Sequence, residues 1–162
     1  MTRALLLMRH AKSDWEADYG SDHDRPLNER GVRDARAMGR VLTAHGVAPQ
    51  VVISSTALRA KTTAQLAIEE GGWDAELRLD ATLYESGPEE VLGVGASAPE
   101  VGRLMMVGHQ PTWSMLVAKL TGERVEMKTA AVAVIELEME SWAGLSLGRG
   151  TLSRVFDPKS QS

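Results

Sequence analysis

An α/β fold is predicted for this chain: a three-layer α/β/α sandwich whose sheet is mostly parallel and finishes in a C-terminal antiparallel edge. Three observations point there. Short unbroken apolar runs recur at 4–8, 51–53 and 104–107. A run of that length without alternation suits a strand buried on both faces. The segments between them carry apolar residues at helical spacing. Two apolar stretches, 131–137 and 151–156, flank a glycine-rich turn near the end of the chain, as an antiparallel pair does. Strand–helix alternation implies a parallel sheet covered by helices on both faces. Ligands in such sheets bind beyond the carboxyl ends of the strands.

Each element has its own warrant. The first strand, 4–8, is bounded by charge at Arg3 and Arg9. Residues 12–29 are polar, contain Gly20 and Pro26, and read as loop. Asn28 is a helix N-cap; after it Val32, Ala35, Gly39 and Leu42 share one face, with Arg30, Arg33, Asp34 and Arg40 toward water, until Gly46 stops the helix. After the strand 51–53, Ser54, Ser55 and Thr56 offer caps for a helix over 57–70, ended by Gly71 and Gly72. A third strand is read at 76–79. Pro88 suits the first turn of a helix running toward Gly95. The strand 104–107 leads through a turn at 108–111 into a helix over 112–120. These elements form a single domain, 1–157, followed by a polar tail, 158–162, expected to be disordered.

Composition narrows the function. The chain has 162 residues, 43% of them hydrophobic and 25% charged, with a formal net charge of −4. No block of lysines and arginines marks a nucleic-acid or membrane surface, so neither partner is expected. An anionic substrate would have to be held by a local cluster of cations against the overall sign. There is no cysteine, which removes thiolate nucleophiles and Cys-based metal sites. The apolar run at 4–8 is too short for a signal-peptide core, and no run approaches 18 apolar residues. A soluble, cytoplasmic protein is the expectation.

The chemistry-bearing residues gather at one edge of the expected sheet. His10 follows the first strand beside Arg9. Arg59 stands in the first turn of the helix after the second strand. Glu85 follows the third strand, and His109 the strand at 104–107. Two imidazoles with guanidinium groups suit a phosphoryl group. Arginine's planar fork pairs with phosphate oxygens at two points, a helix N-terminus adds N–H donors, and neutral imidazole is a nucleophile. Metal chemistry fits less well: no pair of histidines and acids has ligand spacing, and the arginines would repel a cation. There is no Gly-rich loop of the Walker type. His23 and His45 read as structural or solvated, and Trp15 and Trp113 as packing residues within reach of the pocket rim.

Four segments carry a family resemblance. Leu-Leu-Leu-Met-Arg-His-Ala-Lys-Ser (5–13) resembles the Arg-His signature of the histidine phosphatase superfamily, which has the phosphoglycerate mutase-like fold. Asp-Arg-Pro-Leu-Asn-Glu-Arg-Gly (24–31) resembles the segment that follows it. Ser-Ser-Thr-Ala-Leu-Arg-Ala-Lys-Thr-Thr-Ala (54–64) is similar to the second-arginine motif, and Val-Gly-His-Gln-Pro (107–111) to the second-histidine motif. Short length and the form Arg-His-Ala-Lys-Ser look most like the SixA branch of phosphohistidine phosphatases. Ala11 stands where the commonest form of the signature has glycine.

The resemblance implies that His10 is the nucleophile, that Arg9, Arg25 and Arg59 bind the phosphoryl group, and that His109 completes the pocket. Glu85 sits where many superfamily members keep a general acid; it reads equally as a solvated loop carboxylate. No cofactor or metal is expected. The implied function is a metal-independent phosphatase working through phosphohistidine on His10, most simply on protein phosphohistidine. Two alternatives stay open: a phosphatase for a small phosphoester, which Glu85 would favour, and a non-catalytic phospho-group binder.

Overall fold

The computed structural model describes residues 1–147 and 149–159. Six strands form one sheet: β1 (Thr2–Arg9), β2 (Val51–Ser54), β3 (Glu76–Leu79), β4 (Arg103–Gly108), β5 (Val132–Glu138) and β6 (Gly150–Phe156). Their spatial order is β3-β2-β4-β1-β5-β6. The first four are mutually parallel, whereas β5 runs antiparallel to both β1 and β6. Five helices accompany them: α1 (Glu29–Ala44), α2 (Leu58–Gly71), α3 (Thr82–Glu85), α4 (Pro88–Ala96) and α5 (Thr112–Thr121). The architecture is the predicted α/β fold with its antiparallel edge. That edge joins the sheet through β1, so β1 lies inside the sheet with a parallel and an antiparallel neighbour.

Alternation along the strands produces the layers. Leu5 and Leu7 of β1 and Met106 of β4 pack with Val91, Leu92, Trp113 and Leu116 of α4 and α5. Leu6, Met8, Met105 and Val107 pack on the opposite face with Ala35, Met38, Leu42, Ala60 and Ala64 of α1 and α2. All four side chains of β1 from Leu5 to Met8 are fully buried, each contributing about 1.5–3 kcal/mol. Asn28 caps α1 by accepting from the Gly31 N–H at 2.8 Å.

Two regions read as loop hold short helices. Asp22–Asp24 forms a 3-10 turn and Thr82–Glu85 a single helical turn. Neither is long enough to show a period in sequence. A further 3-10 segment, Trp142–Leu147, sits in the expected glycine-rich turn; Trp142 is buried there and donates its indole N–H to the Val101 carbonyl at 2.8 Å. Of the expected disordered tail, Pro158 and Lys159 are described, and 160–162 lie outside the described residues. Among the described residues no helix is long and apolar enough to cross a membrane.

Candidate active site

The site begins where β1 and β4 end side by side. Arg9 and Gly108 are in register, and the His10 N–H donates to the Gly108 carbonyl at 3.0 Å. His10 and His109 are each one residue beyond that pair. Their ring centroids lie 5.2 Å apart, tilted by 51°. The chain leaves β1 for α1 on one face and leaves β4 for α5 on the other, so a crevice opens between the strand ends, at a topological switch point. Gly108 is needed here for space: a Cβ would stand 2.1 Å from the Trp113 ring. The consequence corrects one expectation. Trp113 is a fully buried packing residue, and Trp15 alone of the two lies at the rim.

The loop after β1 is pinned from four directions. The Ala11 N–H donates to Thr63 Oγ1 at 3.0 Å, and that hydroxyl donates to the Arg59 carbonyl at 2.7 Å. The Asn28 N–H donates to the Lys12 carbonyl at 3.0 Å, and Ser13 bridges to Leu27. A Cβ on Gly31 would meet that Lys12 oxygen at 2.1 Å, so the start of α1 seats directly on the loop and needs its glycine. From the far side the Ala130 N–H donates to the His10 carbonyl at 3.0 Å, with Ala130 itself at φ 64°. Ala11 is buried and is not among the residues with positive φ; the position takes a residue with Cβ without strain.

The same loop sets the chemistry of His10. Its Nδ1 lies 2.7 Å from the Ala11 carbonyl. A carbonyl only accepts, so Nδ1 carries the proton and Nε2 keeps its lone pair. Burial pushes the pKa of His10 down to about 3; the Ala11 hydrogen bond opposes this, and the charges of Arg59 and Arg9 and the neighbouring His109 reinforce it. His109 is pushed down to about 4, by burial first and then by Arg59, with Asp22 pulling the other way. Its Nε2 lies 2.8 Å from Ser55 Oγ, which also accepts from the Ala57 N–H at the start of α2. Both rings are therefore neutral at pH 7.

Arginines surround the pair. Arg59 and Arg25 are 6% and 4% exposed, which is rare for arginine unless it is paired. Their partner is Asp22. Arg59 Nη1 donates to the Asp22 carbonyl at 2.7 Å and Nη2 to its Oδ2 at 2.9 Å; Arg25 Nη2 donates to Oδ1 at 3.0 Å. Arg25 Nη1 also donates to Ser13 Oγ, and its guanidinium stacks 3.5 Å from the Trp15 ring centroid. Partial burial opposes ionisation of Asp22, but hydrogen bonds from Tyr84, Arg25 and Arg59 outweigh it and hold the carboxyl well below the usual carboxylate range. Arg9 is held by the Met127 carbonyl at 3.0 Å.

A polar cavity of about 220 Å³ is lined by Arg9, His10, Lys12, Ser13, Trp15, Arg25, Arg59, His109, Gln110 and Thr129. Among the described residues four cations and no carboxylate line it, on a chain of net charge −4. The buried Nε atoms of Arg9, Arg25 and Arg59 have no hydrogen-bond partner among the described residues, which costs free energy. Five of the six residues singled out by sequence thus converge. The sixth, Glu85, is exposed on α3 and does not line the cavity. That single helical turn buries Leu83 and directs its neighbour Tyr84 toward the site: Tyr84 donates to Asp22 Oδ2 at 2.8 Å, and its ring lies 5.6 Å from that of His109. Asp22, Tyr84, Ser55 and Thr63 were missed as site residues, although Ser55 and Thr63 fall inside the second-arginine motif. His23 packs on Tyr84, 4.9 Å between centroids, and lies 2.9 Å from Thr56 Oγ1. His45 Nδ1 caps the Val41 carbonyl at 2.9 Å.

The family model described as histidine phosphatase superfamily (branch 1) matches residues 5–95, more than half of the chain. The chain belongs to the histidine phosphatase superfamily. Three of the four sequence motifs fall within that span, and the fourth, around His109, is brought to them by the pairing of β4 with β1. An uncharacterised protein of Mycobacterium tuberculosis is 38% identical over 167 residues, spanning 94% of this chain and 100% of its own. Among solved structures, a Nakamurella multipartitia protein assigned as phosphohistidine phosphatase SixA superposes with a TM-score of 0.87 at 31% identity, covering 98% of this chain and 97% of that one. A protein of Agrobacterium tumefaciens with the same assignment gives 0.82 at 26% identity, covering 96% and 98%. The superfamily's phosphoglycerate mutase-like fold extends over essentially the whole chain.

Proposed function

We propose that this superfamily member hydrolyses phosphohistidine on proteins, with His10 as the nucleophile. The observation that carries the reading is a neutral imidazole whose Nδ1 proton is tied to the Ala11 carbonyl, in a small cavity ringed by arginines and a second histidine. Nε2 of His10 attacks phosphorus in line with the leaving nitrogen. The P–N bond to the substrate imidazole breaks as the new P–N bond to His10 forms. Water then attacks the phosphorylated His10 and releases inorganic phosphate. Arg9, Arg25 and Arg59 take the charge of the equatorial oxygens, and His109 supplies a further contact; most phosphoryl-transfer catalysis resides in such stabilisation. Guanidinium groups do here what a divalent ion does elsewhere, so the reaction is metal-independent.

The leaving group argues for a nitrogen-linked phosphoryl group. An alkoxide needs a proton as the P–O bond breaks, and a positioned acid supplies about 100- to 10,000-fold. Among the described residues no carboxyl group lines the cavity, and Glu85 is exposed. A departing imidazole, whose conjugate acid has a pKa near ~6.5, leaves with little help. The SixA assignments of the two solved structures agree with this choice.

Rapid-quench mass spectrometry on a phosphohistidine protein, in excess EDTA, tests the reading. The phosphate is expected transiently on His10, labile to acid and stable to alkali, with turnover abolished in His10→Ala. Phosphate on another residue, intact turnover in His10→Ala, or activity lost on chelation would overturn it.

A further inference from the structure

A second, wider cavity of about 340 Å³ adjoins the first, and Arg9, Lys12 and Thr129 line both. Arg30, Lys128 and Lys159 complete its cations, against the carboxylates of Glu126 and Asp157. The groove is thus cationic on a chain whose net charge is −4, and it leads away from the phosphoryl cavity. Its wall is fixed relative to the nucleophile. The Ala131 N–H donates to the Lys128 carbonyl and the Ala130 N–H to the His10 carbonyl, each at 3.0 Å. One tight turn therefore connects the groove to His10. Arg9, on the shared wall, is anchored to the Met127 carbonyl. Arg30 pairs with Asp34 of its own helix at 3.4 Å, and no ion pair is formed by Lys12 or Lys128 with the described residues.

We infer that this groove receives an acidic stretch of the substrate protein flanking its phosphohistidine. The inference rests on the phosphatase reading above and deepens it. A cavity of about 220 Å³ admits a phosphorylated imidazole ring but not the backbone that carries it, so the chain carrying the phosphohistidine has to lie across the rim. The shared wall gives it a direction, over Arg9 and Lys12 toward Lys128. Carboxylates along that path meet cations, whereas lysines would meet them at a like-charge cost; such complementarity selects partners and speeds encounter more than it adds raw affinity.

Phosphohistidine peptides with Asp/Glu, Ser or Lys flanks, together with phosphoramidate as a small P–N substrate, test this. Binding is read by fluorescence anisotropy and turnover by phosphate release. The acidic peptide is expected to bind about 10-fold more tightly than the Ser peptide at low salt, with the difference shrinking as salt rises. Lys128→Glu should raise KM for the acidic peptide about 3- to 10-fold, leaving kcat and phosphoramidate hydrolysis within twofold. The double variant Arg30→Gln/Lys128→Gln serves as a second probe, with thermal melting to verify its fold. Equal binding of all three peptides, or a Lys128→Glu effect equal on phosphoramidate, overturns the groove assignment and leaves the phosphatase reading standing. Acidic preference lost in Lys128→Glu, without turnover of any substrate, supports the groove and overturns the phosphatase reading.

Discussion

Lowering the pH from 7 to 5 separates a buried neutral His10 from an ordinary histidine. At pH 5 an imidazole with a pKa of ~6.5 is only ~3% neutral, whereas His10, pushed down to about 3, stays almost wholly neutral. The unfolded chain takes up the proton that the folded chain refuses. Because the folded pKa lies below the unfolded one, the unfolded state binds more protons throughout the window from about 6.5 down to about 3, and stability falls as the pH drops through it. Between pH 7 and 5 the loss works out at about 2 kcal/mol for one such imidazole, a large share of a typical stability of roughly 5–15 kcal/mol. Urea unfolding of the wild type and His10→Gln at both pH values isolates it, since carboxylate contributions cancel in the double difference. The variant should lose about 2 kcal/mol less than the wild type on acidification. NMR of the His10 ring should show no titration between pH 7 and 5. Equal pH dependence in the two proteins, or a ring titrating near 6.5, would refute the burial argument.

Two further outcomes follow from the site. Arg59 bears on both imidazoles and projects from the first turn of α2, whereas Arg25 is held by a loop, so Arg59→Ala should cost about 2–4 kcal/mol in kcat/KM and Arg25→Ala less; steady-state kinetics on phosphoramidate checks the order. Glu85→Gln should change kcat on an alkyl phosphate ester, whose leaving alkoxide needs a proton, by less than about twofold, because removing an exposed carboxylate that does not line the cavity takes away no proton donor; a 100-fold fall would return Glu85 to the role of general acid.

Strands such as 4–8 and 104–107 were legible because burial on both faces demands unbroken apolar runs, and their ends put His10 and His109 at the same edge of the sheet. Arg59 was legible only through its resemblance to the second-arginine motif, since an arginine in the first turn of a helix is by default exposed; the structure buries it. Glu85 against Tyr84 was not, since one turn of helix has no period from which to tell which of two adjacent side chains faces inward. Asp22 read as one acid among several in a polar loop; that it joins Arg25, Arg59 and Tyr84 depends on a 3-10 turn brought beside α2. The turn that ties Lys128 to His10 was hidden for another reason. Its left-handed residue is Ala130, and no glycine marks the place.

The two halves of the site rest on parts of the molecule with unequal tendencies to open. His10 and His109 extend inner strands whose hydrogen bonds and side chains are sealed from solvent on both sides. Exchange of the amides of β1 and β4 with deuterated water should require nearly the full free energy of unfolding. Arg25 and Asp22 belong instead to a short turn held by side-chain contacts, with Asp22 half-exposed, and segments of that kind open at a fraction of the global cost. His10 thus keeps its place for as long as the protein is folded, while part of the arginine clamp around it can release in a local fluctuation; on the proposed function, this would give the phosphate a way out that leaves the histidine pair undisturbed.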